Sequence, residues 1–175
     1  VAPQGGKARV VRQLVEEDWP ILSVSWEDLM AYAAWRRGNR GRVYILPHEW
    51  LWEKAARGAD GRFYPWGDVG DDAFANWSGS FPDGMRPCIV NSFPADESPV
   101  GVRGLGGNGM DWCLNDAGPE RYAGWRIARG GHWTQSSHAA RAARRGGLSP
   151  TSVSRGCSAR LIWLPCRFLG RGRAG

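Results

Sequence analysis

The sequence predicts an α+β domain in which two short helices precede a long, irregular β region. Three observations lead there. Apolar residues follow helical spacing in two stretches before residue 60. The 25 glycines and 11 prolines among 175 residues are many for a helical protein. After residue 68, Gly or Pro recurs every few positions, leaving room only for short strands. A hydrophobic content of 42% with 11 tryptophans supplies the core for one domain.

The first helix is written in SVSWEDLMAYAAWRRG. Ser25 and Asp28 form an S-x-x-D capping box, and Trp26, Leu29, Met30 and Ala33 follow at helical spacing before Gly38 stops the run. GRVYILP is a strand, Val43 and Ile45 alternating with Tyr44 and Leu46. The second helix, HEWLWEKAARG, starts after Pro47, with Arg57 in its last turn and Gly58 as its cap. GRFYPWGD closes it with a turn. Short apolar pieces follow at 88–90, 100–105, 125–128 and 160–164. Trp26, Trp35, Trp50, Trp52, Trp66, Trp112 and Trp125 are expected to pack in the core and between elements.

The net charge of +6 is unevenly placed: no Asp or Glu follows Glu120, and the last 55 residues hold 11 arginines. A basic tail invites nucleic acid. A single-strand binder, however, needs aromatic stacking platforms among its charges, and residues 134–159 contain no Phe, Trp or Tyr. Nucleic acid is therefore not the expected partner, and the arginines are expected to pair with carboxylates elsewhere in the chain. Cys88, Cys113, Cys157 and Cys166 form no CxxC pair, so buried thiols are expected, with one disulfide left open. No apolar run approaches the roughly 18–20 residues that span a bilayer. The opening VAPQGGKARVV lacks the order of a signal peptide, and the cytoplasm is the preferred compartment.

VSWEDLMAYAAW, GRVYILPHEWLWEKAARG, GRFYPWGD, AN, VNSFPADESPVGVRGLGGNGMDWC and RIARGGHW…RAARR follow one another in the chain. In that order they resemble the motifs of the formylglycine-generating-enzyme/sulfatase-modifying-factor family, from about Ser23 to Leu161. The resemblance implies a C-type-lectin-like fold, two helices on a small twisted antiparallel sheet with extensive loops. The domain is expected over 23–175. Residues 1–22 depart from the family pattern as a partial or atypical segment, and no Met opens the chain, so an N-terminally incomplete sequence is expected. His48 stands where the family has a T-x-x-E capping box, a loss expected to cost about 1 kcal/mol at that helix end. The family's closing G-F-R is replaced near Ser158-Ala159-Arg160.

The family's oxidases use two cysteines after the GG-x-[WY] motif as thiolate ligands for copper, a soft metal. Aligned on Gly130-Gly131, those positions hold Gln135 and Ala140. Neither can be a thiolate, so no catalysis and no copper are expected. Iron-dependent sulfoxide synthases share this domain but take their iron ligands from histidines of a separate helical domain. His48, His132 and His138 have no spacing that would replace them.

A third group, the variable proteins of diversity-generating retroelements, has a pattern resembling R-G-G-S-W, changeable residues, R-x-A-x-R, more changeable residues, Pro and a closing motif. Here Arg129-Gly130-Gly131-His132-Trp133 is followed by TQSSHAA, Arg141-Ala142-Ala143-Arg144, RGGLS, Pro150 and TSVSRGCSA. Randomising the adenines of AAC or AAT codons cannot yield Glu, Lys, Gln, Met or Trp. Among the 26 residues 134–159 only Gln135 belongs to that set, where the chain-wide rate gives about four. Trp133 is expected in the core, Gly130 and Gly131 in a tight backbone, and Arg141 and Arg144 on carboxylates. Neighbouring loop side chains are then free to change.

The resemblance also implies calcium at two oxygen-rich places. The first joins the side chains of Asn76 and Asp83 to the carbonyls of Trp77 and Met85. The second joins Asp111 and Asn108 to the carbonyls of Gly107 and Gly109, with Asp111 where the family has Glu.

The sequence thus points to a non-catalytic ligand-binding protein with a variable region at about 125–160. Its surface is expected to comprise His132, Thr134, Gln135, Ser136, Ser137, His138, Ala139, Ala140, Gly146, Gly147, Leu148, Ser149, Thr151, Ser152, Val153 and Ser154. The target is a protein or surface ligand of unknown identity. The alternative is a non-diversified regulatory module of a larger signalling protein such as a bacterial kinase.

Overall fold

The first helix starts at its capping box, and the second ends at its glycine. The computed structural model describes residues 18–40, 43–118, 123–153, 157–158 and 162–163. Helix α1 covers Trp26–Arg40, running two residues past Gly38, the expected stop. The Ser25 hydroxyl accepts from Asp28 N–H at 3.0 Å and donates to the Asp28 carboxylate at 2.6 Å, satisfying end groups that the helix itself leaves open. Helix α2 covers Glu49–Arg57 and ends at Gly58, with φ +66° and its N–H on the Lys54 carbonyl. Its start is capped after all. His48 Nδ1 accepts from Trp50 N–H, and Asn115 Oδ1 accepts from Glu49 N–H at 2.9 Å. The second bond comes from a strand 66 residues away, which no local motif could announce.

The strands form two sheets. Strand β1 (Tyr44–Ile45) pairs antiparallel with β6 (Ile162–Trp163). The other sheet runs β4-β3-β2-β5, formed by Arg145–Leu148, Arg126–Arg129, Met110–Asp116 and Cys157–Ser158. Strand β3 is antiparallel to both neighbours, and β5 joins β2 in parallel. The expected pieces at 88–90 and 100–105 form no strand; the second contributes one isolated bridge, Glu97 to Arg103. Strands β2 and β4 arise instead from MDWCLND and RGGL, whose polar and glycine content hides them.

The pleat of β2 divides the core in two. Met110 and Trp112 join Ala128, Leu46 and Leu29 of α1 in one cluster. Cys113 joins Ile127, Leu105, Ala142 and the α2 residues Trp52 and Ala56 in the other. Trp52 and Trp112 are fully buried, their indole N–H groups on the Asp111 carboxylate and the Val24 carbonyl. The expectation for Trp35, Trp50 and Trp125 is corrected: they are 62%, 74% and 39% exposed. Trp35 and Trp50 each sit two positions from a buried helix residue, Ala33 or Trp52, and so on the far side of the helix. A third cluster, Ala75, Trp77 and Ala140, lies against Tyr64 and Trp66, whose rings stack at 5.1 Å.

Candidate functional site

The backbone of Arg129–Gly131 is held from several sides. Gly130 has φ +80°, and a Cβ there would meet the Leu105 carbonyl oxygen at 2.7 Å. A Cβ on Gly131 would meet the Gly106 carbonyl oxygen at 2.7 Å. Only glycine fits at both positions. Arg129 is buried and donates to Glu53 Oε2 at 2.6 Å and to the Ala142 carbonyl at 2.9 Å. Arg145 on β4 makes a two-pronged contact with Glu49, at 2.8 and 2.9 Å. These partners differ from the expected ones. Glu49 and Glu53, four apart on α2, receive Arg129 and Arg145, while Arg141 and Arg144 have no carboxylate within 4 Å among the described residues. The signal missed was the i, i+4 pair of glutamates flanking the buried face of Trp52.

Arg144 instead spans Gly130 O at 3.2 Å and Gln135 Oε1 at 3.3 Å. Gln135 is pinned further: its N–H donates to His132 O, and its carbonyl accepts from Ser78 N–H. The one residue type foreign to randomised AAC or AAT codons thus serves as a brace. Trp133 is only half-buried, contrary to expectation, and its indole N–H is buried without a hydrogen-bond partner among the described residues. His132 is half-buried and accepts from Thr134 N–H at 3.3 Å. Burial, and then the charge of Arg144, lower the His132 pKa.

From Thr134 to His138 exposure alternates: Thr134, Ser136 and His138 are exposed, Gln135 and Ser137 partly covered. The 3-10 turn Ser137–Ala140 then buries Ala139 and Ala140. Ala140 packs with Ala75 and Trp77, so neither alanine presents a side chain to a partner. Gly146, Gly147 and Leu148 are not loop residues; they form edge strand β4, where Leu148 leans on the core. Ser149 and Thr151 share a hydroxyl contact at 3.0 Å, and Pro150 O accepts from Trp26 N–H, tying the segment to α1. Thr151 and Val153 are exposed and Ser152 is partly covered. Ser154, the closing motif at Ala159-Arg160 and Cys166 lie outside the described residues. Cys88 and Cys113 are free thiols, and burial pushes both pKa values up.

The oxygens of the two calcium sets are engaged differently. In the first, Asn76 Nδ2 donates to Arg86 O and Asn108 Oδ1, which turns its Oδ1 the other way. That oxygen is buried with no hydrogen-bond partner among the described residues, as a cation would require. Asp83 is exposed and paired with Arg86 at 2.6 Å, and Met85 is exposed. In the second, Asn108 spends its amide on Cys88 N–H, Cys88 O and Asn76. Gly107 O accepts from Gly109 N–H, and Asp111 accepts from Trp52. The hydrogen bond from Trp52 engages Oδ2 of Asp111 and leaves its buried Oδ1 aside.

The sulfatase-modifying factor enzyme 1-like domain model matches residues 2–164. The chain is 34% identical over 163 residues to the inactive C-alpha-formylglycine-generating enzyme 2 of Bos taurus, covering 85% of this chain and 51% of that protein. It is also 34% identical over 160 residues to the hercynine oxygenase of Mycobacterium tuberculosis, covering 75% of this chain and 35% of that one. It thus spans about half, or less, of these relatives. The structure of Treponema denticola variable protein 1 superimposes with a TM-score of 0.69 at 17% identity, over 84% of this chain and 72% of that one. The architecture is the C-type-lectin-like fold of these proteins. No helix among the described residues is long and apolar enough to cross a membrane. The chain belongs to the sulfatase-modifying factor enzyme 1-like domain family.

Proposed function

We propose that this chain is a non-catalytic ligand-binding protein whose surface around Thr134–His138 and Ser149–Val153 is diversified by a retroelement. The observation that carries this reading is the division of labour in residues 129–153. Arg129, Gly130, Gly131, Gln135, Arg144, Arg145 and Pro150 are tied to the core or to α1 and α2. Thr134, Ser136, His138, Thr151 and Val153 project from that support into solvent. Side chains so placed can change without disturbing what holds them.

Overall identity does not decide between binder and enzyme, because a relative named inactive and one named as an oxygenase are both 34% identical. Residue chemistry favours the binder. Gln135 and Ala140 hold the positions of the oxidase cysteines; Gln135 is engaged with Arg144, and Ala140 is buried. Copper binding and thiol-dependent oxygen uptake are expected to be absent. The first calcium set belongs to the proposal, with Asn76 Oδ1 as its anchor and Asp83 leaving Arg86 to join it. Calcium is then expected to raise the thermal midpoint and EGTA to lower it; an unchanged midpoint removes calcium from the account.

The deciding experiment is DNA sequencing downstream of the coding end. A near-copy of the segment for residues 125–165, differing almost only at adenines and accompanied by a reverse-transcriptase gene, is the expected result. Its absence makes residues 134–154 a segment of fixed sequence, and a regulatory module of a larger signalling protein becomes the better account.

A further inference from the structure

Beside the exposed face of Thr134–His138 lies a cleft of about 420 Å³ between the turn after α2 and the Arg141–Arg144 segment. Four arginines line it, and they are not equivalent. Arg57 is paired with Glu53 at 2.8 Å, and Arg62 is paired with Asp60. Glu53 is shared with Arg129, at 2.6 Å. Arg141 lies over the Phe63 ring at 4.7 Å, and Arg144 is half-buried; neither has a carboxylate within 4 Å among the described residues. The Phe63 ring, 53% exposed, and Ala143 give the cleft an apolar wall beside these two charges. Burial lowers the Arg144 pKa.

We propose that this cleft binds a phosphomonoester carried on a planar apolar group, the phosphate between Arg141 and Arg144 and the apolar body against Phe63. The charge count selects the ligand. Arg141 and Arg144, with no carboxylate within 4 Å among the described residues, match a phosphate dianion better than the single charge of a carboxylate or sulfate ester. The planar fork of arginine meets phosphate oxygens in pairs. The inference rests on the ligand-binding reading above and gives that surface a chemical preference at one edge.

The test is isothermal titration of the whole chain with four probes: phenyl phosphate, inorganic phosphate, phenyl sulfate and benzoate. Phenyl phosphate is expected to bind saturably, about tenfold or more tighter than each of the others. Arg141→Ala removes an exposed side chain and is expected to weaken phenyl phosphate about tenfold at an unchanged thermal midpoint, with Arg141→Lys recovering only part. Equal binding of phenyl sulfate or benzoate overturns the charge argument, and equal binding of inorganic phosphate overturns the role of Phe63. No saturation by phenyl phosphate, or an unaffected Arg141→Ala, overturns the site. The outcome is separable from the search for a repeat downstream. A repeat without phenyl phosphate binding removes only the cleft, and binding without a repeat removes only diversification.

Discussion

Arg129 on β3 reaches across to α2 and donates to Glu53 at 2.6 Å while itself 1% exposed, its guanidinium 5.2 Å from the Trp52 ring. This contact joins the segment that begins at Arg129 to the helix on the other side of the core. Arg129→Met removes a buried cation and leaves the buried Glu49 with Arg145 as its remaining arginine. The expected loss is about 3–5 kcal/mol in urea unfolding, the range for breaking a buried pair from one side. A loss below about 1 kcal/mol would show that Arg145 alone satisfies Glu49.

The same network predicts an acid limb. Burial disfavours the Glu53 carboxylate, but hydrogen bonds from Arg57 and Arg129 outweigh it and hold the pKa below the ordinary 4.5. A depressed carboxylate stabilises the fold fully above its unfolded pKa and loses that contribution as pH falls through the folded value. Stability is expected to decline below about pH 4.5, and Glu53→Gln to flatten the decline. An unchanged pH profile in that variant would assign the limb to other carboxylates.

Gly130→Ala places a methyl group against the Leu105 carbonyl at a positive φ. The expected cost is about 2 kcal/mol or more, from the left-handed backbone and the contact together. Thermal melting reads it directly, and an unchanged midpoint would mean that the loop yields there.

Exposed and buried residues of the same segment should respond oppositely. Ser136→Tyr and His138→Tyr are expected to stay within about 0.5 kcal/mol of the parent. Ala140→Leu, forced against Ala75 and Trp77, is expected to cost about 1–3 kcal/mol. Similar costs at all three positions in chemical denaturation would refute a support that is independent of its exposed side chains.

His132 should titrate below its ordinary 6.5, since burial and Arg144 both disfavour its charged form. Its contribution to stability is complete above the unfolded pKa and lost as pH falls toward the folded value. Proton NMR of the imidazole gives the midpoint. Arg144→Gln should raise it, and a midpoint at or above 6.5 would contradict the burial of this ring.

Local physics made part of this molecule legible in its sequence. The Ser25–Asp28 box, Gly58 at the end of α2 and the helical spacing of Leu29 and Ala33 act within a few residues and appear in the structure as written. The glycine pair at 130–131 was also legible as a demand for tight backbone. Which atoms make it tight, the carbonyls of Leu105 and Gly106, was not.

Contacts between distant residues decided the rest. Strand β2 carries Asp111, Asn115 and Asp116 in a run that looks unlike a strand. It forms because its two pleat faces pack into two clusters and its polar groups find Trp52, Glu49 and Arg126. Strand β4 contains two glycines and forms because β3 supplies its hydrogen bonds. Arg129 and Arg145, rather than Arg141 and Arg144, received the glutamates because α2 packs against β2 and β3 within reach of both side chains, and Arg141 and Arg144 line the cleft beside Phe63. The sequence by itself determined where the two helices lie, the cap that starts α1, the glycine that ends α2 and the order of motifs, because hydrogen bonds and periodicity within one element set them. Only the tertiary structure decided which side chains between 129 and 153 support and which present, because burial and charge pairing there are settled by residues far away in the chain.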